Sequence, residues 1–167
     1  MSDDKYSFFS NFSYYERKED NILRVEVNEK SCCDSFLKDS IFIHIPFPDK
    51  FCEQFKKLHN LLLNSMVNNK KSDTLENSDC AFLNYWLNNK LRGVNIDTSI
   101  SVNEFYNKIK AKNADIFKNI SLKKKLYNIE KHELEKMRTL YDLYNIKSQI
   151  DTALSEDSPI EKRVTCS

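Results

Sequence analysis

Three histidines, five cysteines and 25 acidic residues could do chemistry in this chain. Their spacing brings none of them into a recognisable site. His132-Glu133 opens like the zinc-protease pattern, in which a second histidine one helical turn on completes a metal pair, but the next turn carries Lys136. His44 and His59 lie far from it along the chain. A nucleophile elbow or a phosphate loop needs several glycines to bend the backbone, and Gly93 is the only one. Glu133 and Glu135 are two residues apart, so on a helix they point to different faces and cannot act as an acid–base pair. Asn11-Phe12-Ser13 and Asn119-Ile120-Ser121 match the glycosylation triplet, as chance allows in a chain with 18 asparagines. The expectation is a protein that is not an enzyme, with no catalytic residue, no metal site, no cofactor and no small-molecule substrate.

Charge narrows the partners. The formal net charge is +1, and the basic run Lys123-Lys124-Lys125 is balanced by acids elsewhere. A nucleic-acid or polybasic membrane binder carries a clear excess of one sign, so neither is expected. No stretch approaches the roughly 18 to 20 apolar residues of a membrane span, and the opening MSDDKYSFFSNFSYYERKED lacks the apolar core of a signal peptide.

The elements that would position any site are helices. At 167 residues the chain is one domain with enough length for a hydrophobic core. One glycine and three prolines leave little turn chemistry for an all-β fold. Lysine outnumbers arginine 21 to 5 and alanine occurs only 4 times, a bias of A/T-rich codons that speaks to source and not to function. Residues 1–20 form an aromatic and polar segment with a short helix around Tyr6 to Tyr15. Residues 41–48 are extended ahead of Pro46 and Pro48.

A helix follows from Pro48 or Asp49 to about Asn68, with Phe51, Phe55, Leu58, Leu62 and Met66 at helical spacing. The next is capped by Ser78 or Asp79 and stops at Gly93. Ser101 and Glu104 form a capping box for a third, carrying Phe105, Ile109 and Ile116. Ser121 caps the longest, from about Leu122 to Ala153, striped by Leu126, Ile129, Met137, Leu140 and Tyr144 and nearly 50 Å long. The predicted fold is all-α, a compact multi-helix bundle with one long C-terminal helix. Residues 21–154 form its core, and 155–167 a polar linker or tail.

The stretch CAFLNYWLNNKL, residues 80–91, holds the only tryptophan. On a helix Phe82, Tyr85, Trp86 and Asn89 line one side, while Leu83, Leu87 and Leu91 line the next. So wide an apolar face is covered on most sides and marks the centre of the bundle. The predicted core is Phe51, Phe55, Leu58, Leu83, Tyr85, Trp86, Leu87, Leu126, Ile129 and Leu140.

Two segments, FCEQFKKLHNLL (Phe51 to Leu62) and CAFLNYWLNNKL (Cys80 to Leu91), resemble the Plasmodium interspersed repeat superfamily, and most closely its vir branch from the vivax malaria parasite. The run Cys80, Leu83, Asn84, Tyr85, Trp86 and Leu87 is the specific part, and the resemblance spans about residues 30 to 150. It implies a variant surface antigen, exported to the infected red cell, acting in immune evasion and adhesion through host proteins or antibodies. No catalytic residue comes with it. Many members continue into a transmembrane segment, and this chain contains none.

The cysteines then carry the remaining expectation. If the helices beginning near residues 49 and 79 are antiparallel, Cys52 and Cys80 sit about 25 Å apart, beyond disulfide reach. The adjacent Cys32 and Cys33, poorly placed to bond each other, are expected to engage Cys52 and Cys80, in either order. Cys166 is left unpaired or paired outside the chain. The bundle is thus expected to be disulfide-stapled. The alternative is an intracellular helical adaptor with reduced cysteines.

Overall fold

The computed structural model describes residues 4–24, 45–64, 66–67, 70–71, 74–93, 100–118 and 120–164, with side chains given up to 156 apart from residues 66, 67, 70, 71, 120 and 121. The described elements are overwhelmingly helical, as expected, with one long C-terminal helix.

The N-terminus is not set apart from the core. A 3-10 helix, Asp4–Asn11, runs straight into α1, Phe12–Ile22. Phe8, Phe9, Phe12, Tyr15 and Ile22 belong to the same buried cluster as the tryptophan helix. Phe8 is stacked on Tyr85 at 5.5 Å and meets Phe82 edge-on at 5.4 Å. Aromatic pairs at such distances contribute about 0.5–1.5 kcal/mol beyond their burial.

Helix α2 spans Pro48–Leu63 and starts with its proline in the first turn, where the missing N–H costs nothing. Its N-cap, Phe47, has φ 50°, a left-handed conformation rare for a bulky residue. Phe51, Cys52, Phe55, Leu58, His59 and Leu62 face inward. The helix ends before Met66, which the apolar spacing had placed on its stripe. Met66–Val67 (β1) instead pairs antiparallel with Lys70–Lys71 (β2), Met66 opposite Lys71.

Helix α3, Asn77–Leu91, is the centre of the domain. Residues 82–88 are buried without interruption, so every side of the helix is covered. Trp86 lies flat on Phe51 at 5.2 Å and 4°. The 3-10 helix, α4, α5 and α6 pack around α3. The cap falls a turn earlier than the sequence suggested. Glu76 is the N-cap, and its N–H donates to Asp79 Oδ2 at 3.0 Å. The stop near Gly93 holds, but for a different reason: no glycine has positive φ. A Cβ on Gly93 would meet the Asn89 carbonyl oxygen at 3.2 Å, so close approach favours glycine there.

Helix α4, Val102–Lys112, starts as predicted, with Ser101 Oγ accepting from the Glu104 N–H at 3.0 Å. Ile116 lies beyond its end, in a turn that delivers Phe117 onto Phe55 at 5.6 Å. The predicted Leu122–Ala153 helix is two helices. Short α5, Ile120–Lys125, is separated by the non-helical residues 126–130 from α6, which runs Lys131–Val164, past the expected end at Ala153.

Candidate functional site: a polar joint in the core and two outer surfaces

The break at 126–130 is built by side chains of α3. Asn84 and Asn88 are one turn apart and buried at 2% and 0% exposure. A buried amide left without partners would cost about as much as a lost core contact, so both must be matched. Asn84 Oδ1 accepts from the Tyr127 N–H at 3.0 Å. Asn88 Oδ1 accepts from the Ile129 N–H at 2.9 Å, while its Nδ2 donates to the Tyr127 carbonyl at 3.0 Å.

The two amides thus bond backbone groups of the non-helical segment 126–130 at alternate residues, 127 and 129. Arg92 Nη1 donates to Asn88 Oδ1 at 3.0 Å and also to the Ile129 carbonyl. Asn89 Oδ1 accepts from Arg138 Nε at 2.6 Å, fastening the first turns of α6. From this segment, Asn128 Oδ1 accepts from the Val102 N–H at 3.0 Å, joining it to the start of α4. Leu126 and Ile129 are buried on either side, as predicted for the core, although not on a helix.

Other core predictions fall where expected. Phe51, Phe55, Leu58, Leu83, Tyr85, Trp86 and Leu87 are buried, and Leu140 is partly buried against them. Asparagines at a four-residue spacing inside the most apolar helix were the readable signal for the joint, since such groups need partners. Nothing in the sequence says that those partners lie 39 to 43 residues away.

The cysteines divide. Cys32, Cys33 and Cys166 lie outside the described residues. Cys52 is buried and disulfide-bonded. Cys80 is a free thiol at 1% exposure, which corrects the expectation of a bond to it. It sits in the first turn of the central helix, and burial pushes its pKa up to about 11 despite the nearby Lys125. A thiol so held is neutral and a poor nucleophile.

Several other titratable groups are also engaged internally. Tyr15 donates its hydroxyl to Asp79 Oδ1 at 2.8 Å, and burial raises the pKa of both groups. Tyr6 donates to Glu133, which Lys5 also pairs at 3.1 Å, and Tyr141 donates to Glu19. These bonds lace the N-terminal elements to α6. His59 is buried against Phe117 with its ring 4.7 Å away and Nε2 without a partner. Burial lowers its pKa to about 4, so the ring is neutral near pH 7. Among the described residues no three His, Cys, Asp or Glu side chains gather as a metal site. No described helix is long and apolar enough to cross a membrane.

Beside clefts of about 570 and 540 Å³ elsewhere, two surfaces stand out. One is a cleft of about 300 Å³ between the 3-10 helix, α3 and α5, lined by Asp4, Lys5, Asn77, Lys124, Lys125 and Tyr127. The other is the outer half of α6, where Leu143, Ile146, Ile150 and Leu154 are each more than half exposed. Of residues 69–79 and 93–101, only 70–71, 74–79, 93 and 100–101 are described.

The described residues form a predominantly helical domain centred on one aromatic helix, with its buried polar groups largely engaged in internal joints. A family model described as Plasmodium vivax Vir protein matches residues 2–159, and the chain belongs to that family, one of variant antigens. No curated protein and no solved structure matches the chain.

Proposed function

We propose that the chain is a variant surface antigen exported to the infected red cell, serving immune evasion and adhesion by contact with host proteins or antibodies. The family match over residues 2–159 carries this reading. The inward use of polar groups supports it, because a core closed by its own joints leaves surface residues free to vary at little cost in stability. The Cys52 disulfide supports passage through an oxidising compartment, where such bonds persist. On this reading one of Cys32 and Cys33 closes the bridge to Cys52. Residues 69–79 and 93–101 are the adhesive or antigenic loops.

The test has two parts, both on parasite-derived protein. Alkylation and mass spectrometry with and without reduction should map a disulfide from Cys52 and a protected free Cys80. Antibody against the folded domain should label intact, unpermeabilised infected cells. Five free thiols together with labelling only after permeabilisation would replace this reading with the intracellular adaptor.

A further inference from the structure

Helix α6 has two apolar faces. Leu134, Met137, Leu140, Tyr141 and Tyr144 face the body, and Tyr144 makes the last ring contacts, with Phe9 and Phe12. Leu143, Ile146, Ile150 and Leu154 lie elsewhere. At about 100° per residue they fall within a sector roughly 80° wide, with Leu143 at the edge of a groove shared with Tyr6 and Leu140. Their exposures are 59, 53, 54 and 65%. Single exposed aliphatics are ordinary, but four in one helical stripe, two of them β-branched, form a continuous seam that water should not be left to cover.

We propose that this stripe is a self-association surface, pairing α6 of one chain with α6 of a second copy in parallel. Two observations favour a second copy. The spacing 143, 146, 150 is the three-then-four alternation of a coiled-coil seam, with Leu143 and Ile150 at a, Ile146 at d and Leu154 flanking them at e. That register puts Asp142 at g and Lys147 at e, both exposed. In a parallel pair, g faces e five residues on in the partner. Asp142 of each chain therefore meets Lys147 of the other, and symmetry makes the contact twice. A seam flanked by one sign of charge would repel its own copy; this one complements it.

The area sets the strength. Roughly half of each of four side chains, on the order of 100 Å² apiece, amounts to about 800 Å² over the two chains, below the roughly 1,200 Å² of stable specific complexes. The pairing is therefore weak and reversible, with half-association at a chain concentration between about 100 µM and 1 mM.

Sedimentation equilibrium on the full chain between about 10 µM and 1 mM tests this. The expected result is a monomer–dimer equilibrium. Ile146→Glu with Ile150→Glu should weaken it more than about 100-fold, with the circular dichroism of the body unchanged since both positions are exposed. Asp142→Lys or Lys147→Asp alone should weaken it about fivefold, and the two together should restore it. A chain that is monomeric at 1 mM overturns the proposal, as does a dimer indifferent to the glutamate pair. A dimer that the double charge exchange fails to restore overturns the parallel register. A monomer that instead binds phosphatidylserine vesicles through the same isoleucines reassigns the stripe to membrane surface and also overturns the proposal. None of these results bears on where the protein is displayed.

Discussion

Asn88→Ala is the substitution that most directly tests how the domain is joined. The side chain is fully buried and its two ends hold opposite partners, the Ile129 N–H and the Tyr127 carbonyl. Truncation to alanine strands the buried Ile129 N–H, at about 1–3 kcal/mol, and removes the bond to Tyr127, net about 1 kcal/mol. Alanine's better helix propensity offsets about 0.5 kcal/mol. The sum is about 3 kcal/mol, or roughly 6–12 °C in Tm for a domain of this length.

Asn89→Ala is the control on the same helix. It loses one bond, to Arg138, at a half-buried position, and should cost about 1 kcal/mol. Urea unfolding gives both values, and amide exchange reports the joint itself. In Asn88→Ala the amide of Ile129 should lose protection while amides in the middle of α2 keep theirs under conditions that favour local opening. If Asn88→Ala costs no more than Asn89→Ala, or Ile129 stays as protected as in the parent, the segment 126–130 is held by burial of Leu126 and Ile129. The amide joint would then be incidental.

Three further outcomes are expected. Because the His59 pKa is lowered to about 4 from 6.5, the unfolded chain binds more protons than the folded one between those values, so stability is full above pH 6.5 and falls as pH drops towards 4, by about 3 kcal/mol. His59→Leu should flatten that part of a stability–pH profile, and an unchanged slope would refute the assignment. Phe8→Ala, at 0% exposure against Phe82 and Tyr85, should cost about 3–5 kcal/mol by denaturant unfolding, whereas a detached N-terminal segment would tolerate it with no change. Cys80 should resist a water-soluble maleimide in the native state at pH 8 and react on denaturation; rapid native labelling would contradict its burial and raised pKa.

The sequence by itself determined the helical class and the central helix. Scarcity of glycine excludes most other folds, and periodic apolar residues mark which face of a helix must leave water whatever it packs against. That is why Phe51, Phe55, Leu58 and the Leu83 to Leu87 block were legible, as was the Ser101 cap, a contact made three residues away. The tertiary structure alone decided the rest, because the deciding partners are distant along the chain. Leu126 and Ile129 keep helical spacing, yet amides from α3 satisfy the backbone of 126–130 and turn one predicted helix into two. Phe8 and Tyr15 sit in a segment whose polar residues obscure its apolar spacing, and they count as core only because α3 receives them. Cys80 was legible as a cysteine worth placing, but its free thiol follows from the packing around it. Local periodicity fixes what each element must bury, and only the assembled neighbours fix where a buried polar group finds its partner.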